Sequence, residues 1–120
     1  MRNANDELRE YNCSEQYHRY QFGLVLTDGS LELFRRYSAF WFCDIIGSYQ
    51  NHPKVKGQEF QSWVLKKTGE SKAVVTCGDG NSPILSQAIP FTDFEPDEAT
   101  VWVEDGGEEG LKVVLLPSEH

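Results

Sequence analysis

The stretch Ser38-Ala39-Phe40-Trp41-Phe42-Cys43-Asp44-Ile45-Ile46-Gly47-Ser48-Tyr49-Gln50 decides how the rest of the chain is read. It is the densest apolar run in the sequence, and one carboxylate, Asp44, stands in its middle. Phe34, Ser38, Trp41, Ile45 and Ser48, with Phe42 and Tyr49 beside them, recur at the three-and-four spacing of a helix face. At about 100° per residue they share one arc, whereas Leu33, Tyr37 and Phe40 fall outside it. A helix apolar on more than one side is enclosed rather than laid on a surface. The pattern predicts a core helix from near Leu31 to Gln50, with a bend near Tyr37-Ser38 and with Trp41 and Ile45 on its buried face. Asn51-His52-Pro53 ends it, because proline disfavours helical backbone in the residue before it.

Working outward, Thr27-Asp28-Gly29-Ser30 is turn chemistry, and Asp28 or Ser30 is placed to cap the helix. Tyr17–Phe22 alternates as a strand does, and Gly23-Leu24-Val25-Leu26 either extends it or breaks it. Residues 1–16 lack an apolar period and read as a loosely ordered polar arm. After Pro53 the period changes to two. Strands are expected over Phe60–Lys67, Lys72–Cys77 and Ile84–Ile89, followed by a longer connection over Pro90–Asp97. Thr100–Glu104 and Leu111–Leu116 make a hairpin around Asp105–Gly110. A helix followed by a run of strands on short turns predicts one α+β domain over residues 17–120. Its core helix packs on an antiparallel meander of about four or five strands.

A chain of 120 residues with 39% hydrophobic content holds one core and one domain. No apolar run reaches the roughly 18–20 residues of a membrane span, and the polar start is no secretory signal, so a cytoplasmic protein without a membrane partner is expected. Three widely spaced cysteines, Cys13, Cys43 and Cys77, with no close pair, agree with a reducing compartment. The net charge is −8. Residues 1–89 hold ten acidic and ten basic side chains, so the whole excess lies beyond them. There Asp93, Glu95, Asp97, Glu98, Glu104, Asp105, Glu108, Glu109 and Glu119 face only Lys112. Such asymmetry steers a basic partner over roughly a Debye length and repels nucleic acid.

Several candidate chemistries fail on their own spacing. Gly78-Asp79-Gly80 follows a strand but leads to another strand, so no helix N-terminus waits there for a phosphate. Asp93, Glu95, Asp97 and Glu104 fall at the first, third, fifth and twelfth places of a calcium loop, yet Glu98 stands where the loop needs glycine. A zinc site from Cys13, His18 and His52 has no ligand spacing in its favour. Lys54, Lys56, Lys66, Lys67 and Lys72 surround Phe60 and Trp63, but Glu59 and Glu70 dilute that patch and the acidic quarter opposes a polyanion. Asp44 is expected to be a buried structural carboxylate satisfied by Arg19, Arg36 or a backbone donor, because no second titrating group accompanies it. The sequence points to no cofactor, no metal and no catalytic residue.

The ordered markers Thr27-Asp28-Gly29, Ala39-x-Trp41-x-x-Asp44-Ile45-Ile46-x-Ser48-Tyr49-Gln50 and Phe60-Gln61-x-Trp63-x-Leu65 are followed by Cys77-x-Asp79-Gly80-Asn81. Ile89-Pro90-x-Thr92-Asp93-Phe94 and the ending Leu115-Leu116-Pro117-Ser118-Glu119-His120 complete the series. Together they resemble a family of short bacterial, cyanobacterial and mobile-element proteins known as a domain of unknown function, over roughly residues 18–120. The resemblance implies a prokaryotic cytosolic setting, transfers no activity, and makes Asp44, Asp79 and Asp93 the first positions to mutate. The expected function is therefore a non-catalytic interaction protein. Its acidic quarter (Asp93, Glu95, Asp97, Glu98, Glu104, Asp105, Glu108 and Glu109) docks a basic partner protein, with no direct nucleic-acid binding. Two alternatives stand beside it: a phage- or plasmid-borne inhibitor that mimics DNA charge against a host defence complex, and a small enzyme with its site near Asp44 and Asp93.

Overall fold

Trp63 and Leu65 stand two residues apart, and a strand turns residues so spaced to one face. The computed structural model describes residues 1–107 and 110–120. In it the chain runs α1 (Ala4–Glu7), β1 (Tyr17–Arg19), β2 (Leu24–Thr27), α2 (Asp28–Arg36), α3 (Phe40–Ser48), β3 (Phe60–Lys67), β4 (Ala73–Gly78), β5 (Pro83–Ile89), β6 (Glu98–Asp105) and β7 (Lys112–Leu115). Short 3-10 turns occupy Gln21–Gly23 and Pro117–Glu119. This is the mixed helix-and-sheet class expected. The seven strands form one sheet in the order β1-β2-β7-β6-β3-β4-β5, larger than a meander of four or five. Two pairings depart from a meander. β3 pairs β6 across the intervening β4 and β5, and β2 pairs β7 in parallel.

The alternation fixes two faces. Gln61, Trp63 and Leu65 of β3, Ala73, Val75 and Cys77 of β4, and Ala99, Val101 and Val103 of β6 are buried beneath the helices. The residues between them, among them Ser62, Val64, Thr76, Thr100 and Trp102, turn to the opposite face, which no α-helix among the described residues covers, and are only partly buried. Within the core, Gln50 and Gln61 exchange two side-chain hydrogen bonds of 2.9 Å, and the Trp63 indole donates to Gln61 Oε1 at 2.8 Å. The Tyr49 and Gln50 that close the second marker run thus dock on the Gln61 and Trp63 of the third, with the Tyr49 ring 5.9 Å from that of Trp63.

The helix expected from Leu31 to Gln50 is two helices. Ser38 takes a left-handed φ of 51°, and the Ser38 and Ala39 amides donate back to the carbonyls of Arg35 and Phe34 at 3.3 and 2.7 Å. This is a Schellman closure, with serine where glycine is usual. A left-handed residue breaks the phase of 100° per residue, so spacing counted through Ser38 turns the predicted face the wrong way. The buried residues of α3 are Phe42, Cys43, Ile46 and Gly47, while Trp41 and Ile45 remain partly exposed. Gly47 is there because the Phe22 ring lies on the helix: a Cβ at Gly47 would come within 2.3 Å of Phe22 Cδ2.

The start of α2 also differs. Thr27, rather than Asp28 or Ser30, is its cap, its Oγ1 accepting the Ser30 amide at 3.2 Å. The first residues are not a loose arm. Ala4 and Leu8 are fully buried, and the Asn5 side chain accepts the Thr100 amide at 2.7 Å and donates to the Thr100 carbonyl at 2.8 Å. These contacts dock α1 along β6, so two apolar side chains in a polar segment suffice to hold it. No helix among the described residues is long and apolar enough to cross a membrane.

Candidate functional site

Two markers separated by most of the chain meet at the N-terminus of α2. The parallel pairing of β2 with β7 sets Leu26 beside Val114, so the Thr27 turn and the Pro117–Glu119 turn lie together. The Glu119 carboxylate accepts from Thr27 Oγ1 at 2.6 Å, from the Gly29 amide at 2.9 Å and from the Leu116 amide at 2.9 Å. Gly29 permits this approach, since a Cβ there would sit 2.7 Å from the Glu119 carboxyl carbon. The Asp28 carboxylate takes His18 Nε2 at 2.8 Å and the Glu15 and Gln16 amides at 3.0 and 3.3 Å. The His18 hydrogen bond, then the Glu15 amide, hold Asp28 below the usual carboxylate range. The amides of Asp28, Gly29 and Ser30 are taken by Ser14, Glu119 and Thr27, so this helix start has spent its first-turn donors on the chain itself. The Ser14 hydroxyl donates to the Gln16 carbonyl rather than to His18, so Ser14, His18 and Asp28 form no nucleophile–base relay.

Beside this junction, on the uncovered face of the sheet, lies a groove of about 540 Å³. Val25, Val113 and Leu115 make its apolar floor, and Tyr17 and Leu111 its walls. Its charged lining consists of carboxylates, Glu104, Asp105 and Glu119, together with His120. His120 Nε2 lies 2.7 Å from Glu104 Oε1, and its ring stands edge-on to Trp102 with centroids 5.3 Å apart. Lys112 pairs with Asp105 from outside the groove lining. The volume lies within the range of natural ligand pockets, roughly 300–1,000 Å³. A trough with an apolar floor and acidic rim fits a side chain that is apolar along its stem and cationic at its tip, as lysine and arginine are.

The predicted site residues divide between the two ends of β6. Glu104 and Asp105 reach the groove rim. Asp97 and Glu98 lie at the other end, where Asp97 accepts the Arg2 amide at 2.8 Å and Glu98 accepts from Asn3 Nδ2 at 3.1 Å. Glu95 is held 3.4 Å from the Arg2 guanidinium. Asp93 lines a shallow hollow with Trp41, Ile89, Phe91 and Thr92. Glu108 and Glu109 lie outside the described residues. Asp44 is partly exposed rather than buried, and its partners are neither Arg19 nor Arg36. It accepts from Tyr20 Oη at 2.6 Å and Gln21 Nε2 at 2.9 Å. Burial, and then this bond, push the Tyr20 phenol up. Burial first and Asp44 second push the neighbouring Cys43 thiol up to about 12, which leaves it a protonated hydrophobe at neutral pH. Asp44 is not part of the wall that Asp93 lines, so the two do not share that hollow. Asp79 closes its own turn, accepting the Asn81 and Ser82 amides at 2.8 Å each.

Sequence reasoning passed over Tyr17, Val25 and Val113, and the tie from Glu119 to Thr27. The available signal was in β2 and β7, Leu24-Val25-Leu26 and Val113-Val114-Leu115, which are apolar at consecutive positions. Such strands place apolar side chains on both faces of a sheet, including the face no helix covers.

The chain belongs to the family of unknown function DUF6876, which matches residues 2–120 and so takes in the N-terminal segment. Its fold is similar to the crystal structure of a protein of unknown function from Enterococcus faecalis. The TM-score is 0.57 at 18% identity, over 86% of this chain and 98% of the other. That likeness concerns the fold alone. A comparison with curated proteins finds no match.

Proposed function

We propose that this protein is a non-catalytic interaction protein that takes a basic segment of a partner protein into the groove over Val25, Val113 and Leu115. The observation that carries this reading is the pairing of an apolar floor with a rim of Glu104, Asp105 and Glu119 and no lining lysine or arginine. A partner's lysine or arginine stem covers the floor while its head meets the Glu104 and Asp105 carboxylates. Both ends of β6 carry partners, Arg2 and Asn3 on Asp97 and Glu98, His120 and Lys112 on Glu104 and Asp105, so it is the apolar floor beside the carboxylates that favours the groove end as the contact. The Glu104–His120 contact is weak enough to exchange, since both side chains remain in part exposed, at 33% and 57%. The free thiols of Cys13, Cys43 and Cys77 support placing the protein in a reducing cytosol.

The test uses a fluorescent arginine- and lysine-rich peptide, followed by anisotropy at low and high salt. The wild-type protein is expected to bind it and to release it as salt rises. Glu104→Gln with Asp105→Asn is expected to slow association and weaken binding by roughly tenfold at low salt. Equal rates and affinities for the wild type and this variant would remove the acidic rim from the binding surface.

A further inference from the structure

The sheet has two edges, and only one is defended. β1, at one end, has three residues, two of them His18 and Arg19, and short charged strands discourage pairing with another chain. β5, at the other end, runs for seven residues, Pro83-Ile84-Leu85-Ser86-Gln87-Ala88-Ile89, without a charge. β4 pairs with it on one side, and it closes the sheet order on the other. Its defences sit at its beginning: Pro83 is the first residue, and the register shift of β4 falls at Cys77/Gly78. From Ile84 to Ile89 there is no proline and no charge, so a row of backbone donors and acceptors faces outward. Ser86 and Ala88 stand exposed along it.

We propose that β5 is a homodimerisation edge, on which a second copy of this chain adds its own β5 antiparallel across a two-fold axis at Ser86. Such a contact is self-complementary by construction, since each residue pairs with its mirror about the axis. Ser86 then lies opposite itself, Ile84 opposite Ala88, and Leu85 opposite Gln87, and no pair contains a charge. That neutrality argues for a second copy as the occupant. The chain carries a net charge of −8, so its copies repel one another in general, and a charge-free strand is where that repulsion is least. Along the chain, the charges that flank the strand are Asp79 before it and Asp93 after it. The groove sits at the opposite end of the sheet order, on β1, β2, β7 and β6, so the dimer leaves two grooves open at its outer ends.

Sedimentation equilibrium from micromolar to submillimolar protein tests this. The wild type is expected to rise from 13.7 kDa towards twice that mass. Ser86→Lys puts like charges opposite each other on the axis and is expected to weaken dimerisation roughly tenfold or more, with the monomer's circular dichroism unchanged. Because Cys13 is the exposed thiol, a second measurement uses the Cys13→Ser background. There Ser86→Cys should oxidise to a disulfide-linked dimer, and Ala88→Cys, which faces Ile84 across the axis, should not. A wild type that stays monomeric throughout overturns the proposal, as does a dimer that neither Ser86→Lys nor the cysteine pattern affects.

Discussion

Ser38 shows how one backbone angle redirects a sequence argument. Its left-handed φ is invisible to hydrophobic spacing, because serine carries no mark of it as glycine would. The apolar run was therefore legible as a core element, while the face it buries was not. Phe42 is fully buried and Trp41 is not. Phe42→Ala is expected to cost about 3–5 kcal/mol, and Trp41→Ala clearly less, in equilibrium urea unfolding. A larger loss for Trp41→Ala would restore the face that the continuous spacing predicted. Glu119 works at the same scale, since its carboxylate serves three donors at once. Glu119→Ala is expected to cost about 1–3 kcal/mol by orphaning the Gly29 and Leu116 amides. Glu119→Gln, which keeps one acceptor oxygen, should lose less.

At the scale of elements, α1 carries the correction with a measurable consequence. Arg2 donates to Glu7 at 2.8 Å, and Tyr37 of the α2–α3 corner adds a second bond at 2.5 Å. The Arg2 bond first, then that of Tyr37, draw the Glu7 carboxyl down to about 2. A carboxyl whose pKa is depressed in the folded state contributes stability that is whole above its unfolded value of about 4.3. That contribution is lost as pH falls from there towards about 2. The stability gap between the wild type and Glu7→Gln is therefore expected to narrow as pH falls from roughly 5 to roughly 2 in urea unfolding. A gap that does not change with pH would separate Glu7 from the docking of the segment. Nothing in the first sixteen residues announces this, because helical periodicity needs more turns than α1 has. The strands were more legible: β3 is bounded as the alternation predicts, and β4 and β5 shift by a residue.

For the whole molecule, what the sequence withheld was the order of the strands. Pattern locates a strand but not its neighbour, and the β3–β6 and β2–β7 pairings join segments far apart in the chain. The groove depends on that order. Tyr17, Val25, Val113 and Glu104 come from four different strands, and only the β1-β2-β7-β6 arrangement gathers them. The acidic excess was legible as composition, and its division between an end met by Arg2 and an end at the groove was not. The most direct test is a nitrogen-15 NMR titration of the full chain with the arginine- and lysine-rich peptide. The predicted result is shift changes concentrated on Tyr17, Val25, Glu104, Val113 and Leu115, abolished by Val113→Lys, which sets a like charge on the floor. Changes confined to the Asp93–Glu98 end, or none at all under conditions of low salt, would contradict the account.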